Sequence, residues 1–241
     1  MPNWLLILLG LSAGTILLLR DWRFTVGALL FNYVALALFL DEQRFLEPDL
    51  SLVGVNVSTI VLVKLITGIA VSAILAITAL TFSYDYGLEE KDEFALAELR
   101  RATRSAQRRR ETHPFHISDY IVPFWALILA LLASLTLPRL YPIAASPEVD
   151  FTWYWLGLTG ILTVATAGDL LKIGLGLLLC IGSIDLLYTA VVSAPQASGV
   201  GIVPLLLLSL TNILLALAIA YLSGLLFGRL KTLELNELYR R

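Results

Sequence analysis

The chain has 241 residues, of which 58% are hydrophobic and 15% charged, with a mean hydropathy of +0.83. An average soluble domain is about 45–50% apolar and about 25% charged, so a soluble enzyme and a disordered tail are both poor fits. The formal net charge of −2 offers no basic footprint for nucleic acid. A single Cys rules out an intramolecular disulfide and, with two His, leaves few metal ligands, so no metal site is expected. The class these bounds describe is an all-α, polytopic transmembrane helical bundle.

A spanning helix needs roughly 20 mostly apolar residues. In chain order the candidates are Trp4–Leu19, Phe24–Leu40, Val57–Phe82, Ile121–Leu137, Thr152–Ala167, Ile173–Ala194 and Ile202–Phe227, seven in all. Met1–Leu19 lacks a basic leading region, and Arg20-Asp-Trp-Arg23 does not read as a cleavage site, so no signal peptide is expected.

Orientation follows from the basic residues. Fourteen of the 17 collect on one side: Arg20, Arg23, the seven between Lys91 and Arg110, Lys172, Arg229, Lys231, Arg240 and Arg241. The other side holds only Arg44 and Arg139, and Lys64 lies inside a span. This split puts the N-terminus outside and the C-terminus in the cytoplasm, and it requires an odd number of spans. A prokaryotic inner membrane is the expected location.

The chain divides into an N-terminal three-helix unit (1–83), a charged cytoplasmic loop (84–119), a linking helix with an outer loop (120–150) and a C-terminal three-helix unit (151–241). In the loop, Glu89-Glu-Lys-Asp-Glu93 is acidic, whereas Arg100–Arg104 and Arg108–Arg110 are basic. Acid first and base last suits a helix macrodipole, which predicts a surface helix over about 89–110. It serves as a topology-setting connector that touches anionic lipid heads, or as a docking site for a partner subunit. His113 and His116 have no carboxylate or Cys placed to complete a metal site.

Ionisable groups at bilayer depth are costly and therefore mark functional positions. Lys64 in the third span and Asp185 in the sixth lie at similar depths, roughly 10 and 13 Å from the outer end at ~1.5 Å per residue. Asn32 and Asn212 come out near the same level. Four polar groups from four helices predict an internal polar layer in which Lys64 and Asp185 could pair. The alternative is that they only fix helix packing, since interhelical hydrogen bonds contribute about 0.6–2 kcal/mol. Gly157, Gly160, Gly174 and Gly176 mark a face expected to bury against other helices, because small residues let backbones approach closely.

The first and last three spans share a plan. Arg23 is followed at four, six and seven residues by Gly27, Leu29 and Leu30; Lys172 is followed at the same spacings by Gly176, Leu178 and Leu179. Two parallel three-helix units joined by the fourth span are the expected arrangement.

The last unit carries a recognisable pattern. Asp169-Leu-Leu-Lys-Ile-Gly-Leu-Gly-Leu-Leu-Leu179 resembles the turn and second helix of the small three-helix K-type subunit of respiratory complex I, and of the C subunit of Mrp-type sodium/proton antiporters. The tail Arg229-Leu-Lys-Thr-Leu-Glu-Leu-Asn-Glu-Leu238 is similar to the tails of that family. The resemblance covers about 151–241; with its extra N-terminal helices the chain resembles the hydrogenase-4 component E type of subunit. It also departs from the family. Leu178 stands where the complex I subunit has a Glu that takes part in proton transfer, and no acidic residue lies between Leu205 and Gly228 to match the third-helix Glu. Asp185, two turns after Leu178, is a candidate displaced carboxylate.

The resemblance implies an integral membrane subunit of a proton- or cation-translocating assembly. It would pack between larger membrane subunits in the lipid bilayer, without a redox cofactor or a catalytic site of its own. Asp185, Lys64, Asn32 and Asn212 are the ion-pathway candidates. The rivals are a stand-alone carrier of two parallel three-helix units, with its substrate site between them, and a purely structural assembly subunit.

Overall fold

A computed structural model describes residues 4–19, 21–43, 49–52, 55–88, 117–144, 146–192 and 202–230. Among them are seven helices: α1 (Trp4–Leu18), α2 (Trp22–Glu42), α3 (Thr59–Leu88), α4 (Ile117–Leu140), α5 (Pro147–Ala165), α6 (Leu170–Val192) and α7 (Ile202–Leu230). The expected surface helix over 89–110, His113 and His116, and the tail from Lys231 onward fall outside the described residues.

Five helices, α2, α3, α4, α6 and α7, are long and apolar enough to cross a membrane. The expected first span, α1, is a shorter apolar helix of 15 residues, about 22 Å at ~1.5 Å per residue. The fifth, α5, has 19 residues and carries Glu148 and Asp150 in its first turn; it is not among the five. The apolar exterior agrees with a helical membrane protein, with Phe31, Ile69, Trp125, Leu129, Ile184, Leu207 and Tyr221 all more than half exposed.

Local chemistry explains where the helix starts differ from the hydropathy reading. The third span does not begin at Val57. Leu50, Leu52, Val55 and Val57 alternate with polar or small residues, a period-two pattern that favours a strand. Asp49–Leu52 (β1) and Val55–Ser58 (β2) accordingly pair antiparallel, Leu50 opposite Val57 and Leu52 opposite Val55, and the helix follows from Thr59. This hairpin is the one departure from an all-helical reading among the described residues. Helix α5 starts five residues before Thr152, because Ser146 caps it: its side chain accepts from Val149 N at 3.3 Å, with Pro147 in the first turn.

The two matching turns share their cap chemistry. Asp21 accepts from Arg23 N at 3.0 Å at the start of α2, and Asp169 accepts from Lys172 N at 2.6 Å at the start of α6. The two caps are out of register with the match, since Asp21 stands two residues before Arg23 and Asp169 three before Lys172.

The helices stand in two rows of three. In one row α1 packs on α2 and α2 on α3; in the other α5 packs on α6 and α6 on α7. The rows lie face to face, α1 against α5, α2 against α6 and α3 against α7, and α4 sits outside against α5 and α1. The middle helices are the most enclosed: 56% of the apolar stretch of α2 and 61% of that of α6 is buried, against 22% in α4. Two contacts fix which ends coincide. Gln43, after α2, donates to Glu148 at the start of α5 at 3.1 Å, and Lys172, at the start of α6, donates to Leu17 O at the end of α1 at 2.9 Å. Facing helices α1/α5 and α2/α6 therefore run parallel.

Candidate functional site: a polar cross between the two rows

Helices α2, α3, α7 and α6 form a square, two from each row, and its diagonals are polar. Lys64 Nζ on α3 is ion-paired with Asp185 Oδ2 on α6, and each side chain is only 1% exposed. Tyr33 on α2 donates its hydroxyl to Asn212 Oδ1 on α7 at 3.0 Å, also in the interior. The two contacts run along crossing diagonals, so they occupy different levels.

Helix positions give those levels. Lys64 is five residues after Thr59, and Asp185 seven before Val192. At ~1.5 Å per residue both lie about 8–10 Å from the helix ends where α3 begins. Asn212 is ten residues after Ile202 and Tyr33 nine before Glu42, about 14–15 Å deep on the same scale. The tyrosine lies below the ion pair. One turn after Lys64, a Cβ at Gly68 would stand 2.5 Å from Tyr33 Cβ; only glycine lets α2 and α3 close here. Sequence reading did not single out Tyr33 or Gly68, whose partners lie on other helices.

The four ion-pathway candidates are therefore not one cluster. Lys64 and Asp185 touch, and Asn212 joins Tyr33. Asn32 points elsewhere: its Nδ2 donates to Ser12 Oγ on α1 at 2.8 Å, and Ser12 Oγ donates to Leu9 O at 3.1 Å. Neighbours on α2, Asn32 and Tyr33 are turned about 100° apart by the helical repeat of ~3.6 residues, so one serves the α1 side and the other the square.

All four glycines lie against helices of this same chain. A Cβ on Gly160 would be 2.8 Å from Gly176 O, and one on Gly176 would be 2.7 Å from Gly160 O, so α5 and α6 touch backbone to backbone. Gly157 lies against Ser183, whose hydroxyl donates to Trp153 O at 2.6 Å. Gly174 lies against Ile219 of α7. This face is consumed inside the bundle and is not free for a partner subunit.

Two further charged residues have roles that hydropathy hid. Lys172, counted with the loop cations, is only 5% exposed; besides Leu17 O, its ammonium reaches Leu19 O at 3.4 Å. It closes the C-terminal end of α1, where carbonyls lack helical partners. Asp150, also buried, accepts from Ala144 N at 2.8 Å, from Ile143 N at 3.1 Å and from Trp153 Nε1 at 3.0 Å. It ties the turn after α4 to α5. No group of three or more His, Cys, Asp or Glu that could hold a metal ion occurs among the described residues.

Protein-family models, curated proteins and solved structures were all compared with this chain, and none matches.

Proposed function

We propose that this chain is an integral membrane subunit of a cation- or proton-translocating assembly related to complex I or the Mrp antiporters, with Lys64–Asp185 as its working charge. On this reading all seven helices cross the bilayer, with the N-terminus outside and the C-terminus in the cytoplasm, and the exposed apolar faces meet lipid or larger subunits. The observation that carries the proposal is the buried pair linking the two rows. An amine and a carboxylate in contact inside a low-dielectric bundle balance one another, while either charge alone is costly there. A proton delivered to Asp185 leaves a lone cation, and a proton taken from Lys64 leaves a lone anion. Either event favours a compensating charge movement nearby, which is the coupling a translocating subunit needs. Asp185 is the titratable relay and Lys64 the charge that tunes it. The Asp169–Leu179 and Arg229–Leu238 patterns supply the family expectation.

One observation favours a second reading. Both diagonals join opposite rows, as does the Lys172 contact to α1. Contacts concentrated between two three-helix units suit a stand-alone carrier whose halves rock against one another around a central site. Native-gel electrophoresis of mildly solubilised membranes separates the readings. A subunit migrates with a large complex containing antiporter-like partners; a carrier migrates alone or as a small oligomer.

A further inference from the structure

The buried hydroxyls of this bundle fall into two groups. Thr67, Thr159, Thr163 and Thr189 each donate to a carbonyl of their own helix at 2.6 to 2.7 Å. Ser209 Oγ on α7 is buried and has no hydrogen-bond partner among the described residues, as is the case for Ser72 Oγ on α3 and Ser223 Oγ farther along α7, and the same is true of Asp185 Oδ1. Ser209 and Asp185 are 5% and 1% exposed. They are also level: Asp185 is seven residues before the end of α6 and Ser209 seven after the start of α7, so each lies about 10 Å in at ~1.5 Å per residue. The helices are neighbours. Ser209 precedes Asn212 by one turn, so both lie on the stripe of α7 that faces the square.

A buried carboxylate oxygen or hydroxyl without a partner has given up its water without replacing it, which is unfavourable. Folded proteins meet that cost with bound water when two to four polar groups converge. Here Asp185 Oδ1, Ser209 Oγ and the Lys64 ammonium lie at similar depth on helices of the square, and the Tyr33–Asn212 contact lies below them. Farther along the α7 stripe Ala216 and Ile219 are buried and apolar, and Ser223 beyond them is buried with an unpartnered hydroxyl of its own.

We propose that this corner of the square binds ordered water, held by Asp185, Ser209 and Lys64 above the Tyr33 ring. The inference rests on the reading of Lys64–Asp185 as the working charge and names what that charge contacts. Water there would give Asp185 a proton donor and acceptor besides Lys64, and Ser209 would be a positioning residue for it.

Water-edited solid-state NMR on the unmodified chain in lipid bilayers tests the proposal. Polarisation from water should reach the Asp185 and Ser209 side chains several-fold faster than Ala13, which is fully buried on α1. Ser209→Val, which fills the space with methyls, should slow transfer to Asp185 toward the Ala13 rate. The proposal is overturned if Asp185 and Ser209 receive polarisation as slowly as Ala13, or if Ser209→Val leaves the Asp185 rate unchanged. No transport is measured, so a dry corner and a failure of the translocation reading are separate results.

Discussion

Lys64 and Asp185, 121 positions apart in sequence, meet across a diagonal of the bundle and join its two three-helix rows through one buried ion pair. Helices α3 and α6 are not close neighbours along their backbones; the long lysine stem spans the distance between them. The pair therefore depends on both rows holding their places, and the rows in turn are held by the pair.

Removing one partner should cost far more than removing both. Asp185→Asn and Lys64→Met should each destabilise the protein by about 3–5 kcal/mol, because each leaves a buried group uncompensated. The double variant should recover part of that loss. Thermal unfolding in detergent, followed by circular dichroism, measures the cycle; strictly additive losses would show that the two side chains are not energetically coupled.

The Gly160–Gly176 contact predicts a sharp difference within one helix. Gly176→Ala places a methyl 2.7 Å from Gly160 O and 2.9 Å from Val164 N, atoms that move only if α5 and α6 separate, at about 1–3 kcal/mol. A Cβ at Gly182, also on α6, meets nothing within 4 Å, so Gly182→Ala should be neutral or slightly stabilising. Fluorescence-detected size-exclusion after a heating series compares them; equal midpoints would contradict the close approach.

Lys172 should behave as a structural cation. Lys172→Met removes a charged donor from the α1 carbonyls and should cost about 1.5–3 kcal/mol, the range for hydrogen bonds to charged groups. Lys172→Arg should retain part of the stability. If Lys172→Met unfolds at the wild-type temperature in the same assay, the cap contributes nothing.

Topology follows from the basic asymmetry and can be read at exposed positions of the described turns. Tyr141 and Gly168 are both exposed and, by the proposed orientation, on opposite sides. An impermeant thiol reagent added to intact cells should label Tyr141→Cys and spare Gly168→Cys until the membrane is opened. Labelling of both from outside would break the orientation.

Hydropathy made the long apolar helices legible, and the cost of charge at depth drew attention to Lys64 and Asp185. Periodicity also contained the β1–β2 alternation, which was hidden by reading its valines as the start of the third span. The Ser146-Pro147-Glu148 start of α5 was present in the same way, as a cap signal standing outside the apolar run. What could not be read was partnership between helices. Depth alone grouped Asn32 with the other polar residues, yet its direction on α2 sends it to Ser12, while Tyr33 beside it reaches Asn212. Lys172 counted as a loop charge because nothing local reveals that its ammonium folds onto the end of another helix. Glycine spacing marked a tight face without saying that its other side lay in the same chain.

Ion movement through Asp185 in the intact assembly is the most direct measure of the proposed function. Inside-out vesicles carrying wild type, Asp185→Asn or Asp185→Glu are assayed for cation-dependent proton flux, with assembly checked on native gels. The proposed role predicts that Asp185→Asn, though less stable, still assembles and that each assembled complex loses most of the flux, while Asp185→Glu retains part of it. An Asp185→Asn chain that assembles and moves ions at the wild-type rate would contradict it.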